Sequence, residues 1–185
     1  MTTKRYAALL RGINVGGHRK VPMAGLRSLL SDMGYADVAT HLQSGNAFFS
    51  TPAADEDELA AALGRAIEEH FGFGVDCLVR DGDYLAAVAA GCPFPAAGLE
   101  GRQLHVTFLS EDPAPDRLAS LDAASFAPEA FRPGDRALYL HTPGGLGRSR
   151  LAEALARPDL LRGIIATTRN WNTVTRLVEL TRTPV

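Results

Sequence analysis

The stretch DVATHLQSGNAFFS, residues 37–50, decides the fold. Two runs of strand-forming residues flank Ser44-Gly45-Asn46, and so short a glycine-containing connection predicts a β-hairpin. Upstream, Met23, Leu26, Leu29, Leu30 and Met33 recur at helical spacing, with Pro22 at a first-turn position and Gly34 as the stop. Ahead of that helix, RYAALLR (5–11) is a short apolar run ending at Gly12 and reads as a buried strand. Downstream, Asp55 with Glu58 three positions on predicts a capped helix that carries Leu59, Leu63, Ile67, His70 and Phe71 on one face. The acidic run 55–58 then lies in the first turn, where carboxylates favour the helix dipole, and needs no functional explanation. VDCLVR (75–80) supplies a further strand. The order β-α-β-β-α-β is that of the ferredoxin-like, split βαβ arrangement.

A helix at 83–90 leads into GCPFPAAGLEG (91–101), where composition and periodicity both break. The reading is therefore α+β: a ferredoxin-like lobe over 1–90, a linker at 91–101, and a second, related α+β lobe over 102–185. In the second lobe RQLHVTFLS (102–110) is a strand, 114–124 a helix, and Phe126–Phe131 and RALYLH (136–141) two strands joined through the turn Arg132-Pro133-Gly134-Asp135. The loop TPGGLGRS opens a short helix from Arg150. A final helix starts near Thr168, carries Trp171, Val174 and Val178 on one face, and is expected to pack back on the first lobe. The second half reads as an incomplete echo of the first.

Composition narrows the function classes. The 185 residues are 46% hydrophobic and 22% charged, which is the balance of a folded chain. A net charge of -2 excludes a surface that binds nucleic acid nonspecifically as a whole, so any anion site must be a local cluster. Lys4 and Lys20 are the only lysines among nineteen basic residues, a bias toward arginine that lowers the information in any single one. Cys77 and Cys92 show neither metal-ligand spacing nor a disulfide framework, and no run reaches membrane-spanning length, so a reducing cytoplasm is the expected location. No H-E-x-x-H, C-x-x-C or G-x-S-x-G occurs, the five histidines are scattered, no metal site is expected, and no cofactor is indicated.

Three stretches could carry chemistry. The first, Arg11 to Lys20, follows a strand and combines Gly12, Gly16 and Gly17 with basic groups at both ends. Glycines let backbone N–H groups approach a phosphate, and arginine offers paired donors. His18-Arg19 nevertheless replaces the Lys-Ser/Thr of a P-loop, and Asn14 stands where a dinucleotide fingerprint needs glycine. The alternative is a crossover loop that needs positive φ angles. The second stretch is 167–176. With Thr167 or Thr168 as N-cap, Arg169 falls in a first helical turn against the dipole, and Arg169, Asn172 and Arg176 share a face opposite Trp171. A bound anion would relieve that conflict. So would a salt bridge to a carboxylate. The third, Gly144 to Arg150, is a glycine-rich turn that a Ser149 cap explains equally well.

LLRGINVGG (9–17), QSGN (43–46) and TTRNWNTVTRL (167–177) together resemble the signature segments of a bacterial family of domains of unknown function, number 1697. The resemblance spans essentially the whole chain and implies a two-lobed α+β protein. It implies no activity, substrate or cofactor. It places Arg11, Gly12, Asn14, Gly16, Gly17, Gln43, Asn46, Arg169, Asn170 and Asn172 in characteristic segments, while HRK at 18–20 departs from a fixed charge order.

The expectation is an Arg/Asn/Gly-lined cleft between the lobes for a small phosphate-bearing or other anionic ligand, with or without turnover. Arg11 and Arg169 would neutralise the anion, Asn14, Asn170 and Asn172 orient it, and Gly12, Gly16 and Gly17 permit close approach. The alternative is a non-enzymatic interaction module in which the arginines are structural. There a homodimer is favoured over nucleic acid, since Phe48 and Phe49 cannot face one side together. No membrane partner is expected.

Overall fold

A computed structural model describes residues 2–182. The chain divides into two compact units, one running to Ala86 and resuming at Leu177, the other Ala87–Arg176.

In the first unit, β1 (Thr3–Leu10), α1 (Met23–Asp32), β2 (Ala36–His41), β3 (Asn46–Pro52), α2 (Glu56–Phe71) and β4 (Cys77–Asp81) follow in the predicted β-α-β-β-α-β order. The sheet is antiparallel with strand order β2-β3-β1-β4. The pleat sends Tyr6, Ala8 and Leu10 to one face with Ala47, Phe49, Cys77 and Val79, where Leu26 and Leu30 of α1 and Leu63 and Ile67 of α2 cover them. The Phe49 ring stacks on Tyr35 at 4.3 Å. Phe48 points to the opposite face and is equally buried. Asp55 caps α2 by accepting from the Asp57 and Glu58 backbone N–H groups at 2.9 and 3.0 Å, and Gly72 ends it in the left-handed conformation. A third helix, α3 (Gly82–Ala90), follows β4. The hairpin turn differs from expectation. Asn46 already pairs with His41 across the ladder, so the connection is Leu42–Gly45 rather than residues 44–46.

The second unit repeats this plan in full. Its strands β5 (Leu104–Leu109), β6 (Ala130–Gly134), β7 (Ala137–His141) and β8 (Ala166–Asn170) form an antiparallel sheet in the order β6-β7-β5-β8, the counterpart of the first. The helices α4 (Pro115–Ala119) and α5 (Arg150–Leu155) are short. Leu151 and Leu155 of α5 pack with Leu109, Leu138, Leu140 and Ile164.

Three expectations in this half are corrected. The helix at 114–124 stops at Ala119. Phe126 ends a 3-10 turn (Ala123–Phe126), so the strand expected at Phe126–Phe131 is shifted to Ala130–Gly134, and the tight turn falls at Asp135-Arg136, where Arg136 takes φ 45°. The third correction explains the incomplete echo. Residues 166–170 are the missing fourth strand, and α6 (Trp171–Arg182) starts only after it. Thr167 and Thr168 are β-branched and suit a strand, while the capping role passes to Asn170, whose Oδ1 accepts from the Thr173 N–H at 2.9 Å.

Candidate functional site

The stretch Arg11–Lys20 connects β1 to α1 as a largely exposed loop, and Gly12, Asn14, Gly16, Gly17 and Arg19 all take positive φ, as the crossover-loop alternative requires. Ile13 anchors it in the core of the first unit. Beyond that anchor the chain doubles back. The His18 N–H donates to the Val15 carbonyl at 3.1 Å, and the Asn14 N–H to the Arg19 carbonyl at 3.1 Å. Between them Gly16 and Gly17 both take positive φ, 59° and 78°, the pattern of a primed hairpin turn that side chains resist. The Arg11 N–H donates to the Asp76 carbonyl at 2.9 Å, while its guanidinium stands 3.8 Å from the Asp76 carboxylate, with both side chains more than half exposed.

Asn14 holds the loop from within. Its Nδ2 donates to the carbonyls of Val21 at 3.0 Å and Gln43 at 2.8 Å, and its Oδ1 accepts from the Val21 N–H at 2.9 Å. Asn14 itself takes φ 56°, a conformation asparagine tolerates better than most residues. The QSGN stretch is the other side of this clamp. Gln43 contributes its backbone carbonyl, the Gly45 carbonyl accepts from Leu10 N–H at 2.8 Å, and buried Asn46 donates to the His41 carbonyl at 2.9 Å. Two features oppose a side chain at Gly45. Its φ is 98°, and an added Cβ would stand 2.9 Å from Leu10 Cβ and 3.1 Å from the Ile13 side chain.

The side chains exposed on this loop and the facing connection include His18, Arg19 and Lys20, with Val15 and Leu42. Among the described residues no carboxylate lies within ion-pair distance of His18, Arg19 or Lys20. Val15 (68% exposed) and Leu42 (54%) are the exposed large hydrophobic side chains of the described chain. Sequence reasoning did not single out either one. The signal for Leu42 was absent, because no local motif announces its left-handed φ of 62° or its exposure.

In the second unit Arg169, Asn170 and Asn172 meet at the junction of β8 and α6. Arg169 is a strand residue, so it opposes no helix dipole. It is 8% exposed, and its guanidinium donates to the Thr167 hydroxyl at 2.7 Å and the Thr168 carbonyl at 3.1 Å. Burial lowers its pKa to about 10, which leaves it charged at neutral pH. Asn170 is committed to capping α6. Asn172 is exposed and lies against the backbone of Gly101, where any Cβ would overlap its carboxamide. The sheet face beside this junction is polar. Thr107 and Thr168 share a hydroxyl–hydroxyl bond of 2.8 Å, and His105 Nδ1 stands 3.4 Å from the Thr142 hydroxyl. Ser149 caps α5 by accepting from Ala152 N–H at 2.9 Å, which accounts for the serine of the GGLGRSR loop.

A family described as "Protein of unknown function (DUF1697)" matches residues 3–139. The chain belongs to that family.

The matched residues of this DUF1697 member contain the first two of its three characteristic stretches, and the third lies beyond them. A solved structure titled "The structure of conserved bacterial protein SP0830 from Streptococcus pneumoniae" is similar over 96% of this chain and 98% of its own. The TM-score is 0.73 at 22% identity, a likeness that speaks for the shared fold. No curated protein matches.

Other chemistry in this DUF1697 chain is quiet. Among the described residues no group of three His, Cys, Asp or Glu side chains is arranged to hold a metal ion. Burial, with help from Asp76, pushes the Cys77 thiol up to about 11, and its Sγ donates to the Ala60 carbonyl. Burial also raises Cys92. Neither thiol is poised as a nucleophile, since that role needs a depressed pKa. No helix among the described residues is long and apolar enough to cross a membrane.

Proposed function

We propose that the chain is a binding protein for a phosphate-bearing or similarly anionic ligand, received at the loop Arg11–Lys20. One observation carries this reading. The Asn14 clamp, built from three hydrogen bonds, holds a glycine-tipped turn in a strained shape, and that turn presents His18, Arg19 and Lys20 without carboxylate partners. Order of this kind favours a ligand, because a loop backbone held in place before binding loses little freedom on contact. Exposed Arg11, Gly12, Gly16 and Gly17 would complete the contact surface. Asn14 acts as the internal strut, and Arg169 and Asn170 serve the architecture of the second unit. The βαββαβ lobe, which we read as ferredoxin-like, is the scaffold. A bacterial cytoplasm is the setting we infer, supported by two free thiols, one of them deeply buried.

The test is an NMR titration at low ionic strength with inorganic phosphate, ATP and a short single-stranded oligonucleotide. Backbone amides of residues 16–20 are expected to shift with at least one of them, and Arg19→Glu/Lys20→Glu to abolish the shift with unchanged melting temperature. Amides that stay still at millimolar concentrations of all three would end the proposal.

A further inference from the structure

The geometry points to a ligand that carries aliphatic groups beside its negative charges: an acidic, aliphatic-bearing peptide segment of a partner protein. This inference rests on the anion reading of the same loop and narrows it. Val15 follows Asn14 in the chain and Leu42 precedes Gln43, so the two exposed aliphatic residues are chain neighbours of the pair joined by one hydrogen bond, Asn14 Nδ2 to the Gln43 carbonyl at 2.8 Å. Inorganic phosphate has no use for either. Leu42 is held at φ 62°, where a leucine is disfavoured and which works against stability in the free protein, and it is 54% exposed.

Charge selects among the partners that bear both features. The net charge of -2 already includes Arg19 and Lys20, so the rest of the chain is more acidic still. An extended anionic surface, a bilayer or a duplex, would also have to face other parts of a net-acidic chain, whereas a short acidic segment needs the basic loop alone. A single-stranded nucleic acid binds through stacking aromatics, and no Phe, Tyr or Trp among the described residues is exposed. Aspartate or glutamate opposite His18-Arg19-Lys20, with leucine or valine against Val15 and Leu42, satisfies both parts of the patch.

The experiment measures fluorescence anisotropy of fluorescein-labelled Asp-Glu-Leu-Asp-Glu-Leu-Asp and of its serine-for-leucine analogue on the full chain. The leucine peptide is expected to bind about tenfold more tightly than the serine peptide, the discrimination that partial burial of two aliphatic contacts supplies. Val15→Ser/Leu42→Asn should erase that difference between the two peptides. Asparagine tolerates the left-handed conformation at 42, so this variant should keep its fold. Arg19→Glu/Lys20→Glu should weaken both peptides. Equal affinity for the two peptides would overturn the inference. So would failure of both peptides while phosphate or ATP still moves the amides of 16–20, an outcome that spares the anion reading. Silence toward peptides and small anions alike would remove both.

Discussion

The Asn14 carboxamide donates to the Gln43 carbonyl at 2.8 Å across 29 residues of chain, and so fastens the first loop to the β2–β3 connection. Its other hydrogen bonds go to both backbone groups of Val21, which leaves the side chain fully engaged in holding the loop. Asn14→Ala therefore removes three hydrogen bonds and leaves a β-carbon at positive φ. The expected loss is about 1–3 kcal/mol in urea unfolding, accompanied by sharpened or shifted amides over residues 15–20. An unchanged unfolding midpoint would mean that the loop is held by something else.

Gly45→Ala and Gly12→Ala separate two causes of glycine requirement. Both sites have positive φ, but a Cβ at Gly12 would meet nothing, whereas at Gly45 it would press on Leu10 and Ile13. Gly12→Ala should cost about 1–2 kcal/mol from the backbone alone, and Gly45→Ala about 1–3 kcal/mol more from overpacking. Chemical denaturation of the two variants side by side checks the order. Equal losses would show that the core around Ile13 yields freely.

Gly101 and Asn172 form a pair that can be tested by compensation. An alanine at 101 must displace the Asn172 carboxamide, which is exposed and free to swing away. Gly101→Ala is expected to destabilise modestly in the parent chain and to be nearly silent once Asn172→Ala is present, a coupling of about 0.5–1.5 kcal/mol. Additive losses would show that the clash is absorbed by backbone rather than by Asn172.

His105 gives the second unit a pH dependence. Burial lowers its pKa below the ordinary 6.5, so the folded state holds the neutral ring and the unfolded state takes up the proton first. With more protons bound in the unfolded state, stability falls as pH drops through about 6.5 and is unaffected above it. Urea midpoints should decline more between about pH 7.5 and 5.5 for the parent than for His105→Gln, which removes this titration. Parallel declines would assign the dependence to other groups.

Arg169→Ala should cost at least about 1.5–3 kcal/mol, since it removes charge-assisted hydrogen bonds to Thr167 and Thr168 in a buried strand, and the loss should be the same with and without phosphate. Thermal melts at several phosphate concentrations measure it. A loss that shrinks as phosphate is withdrawn would return Arg169 to the binding surface.

The first ninety residues were legible because each element carries its own signal. Apolar spacing marks α1 and α2, Asp55 and Gly34 mark ends, and the glycine between two strand-like runs marks the hairpin. The basic loop was legible too, since three glycines and a cluster of cations stand out in any reading. Residues 166–170 were not. Thr167 and Thr168 serve a cap or a strand equally well in isolation, and what settles them is an open edge on β5, sixty residues earlier in the chain, where Thr168 pairs with Thr107 at a hydroxyl distance of 2.8 Å. That pairing turned Arg169 from a helix-terminal cation into a buried strand residue. The chain's local chemistry thus determined the βαββαβ order and the charge of the loop. Tertiary structure alone decided which polar side chains are consumed as struts and that Val15 and Leu42 stay in water, because both depend on neighbours that contiguous residues do not contain.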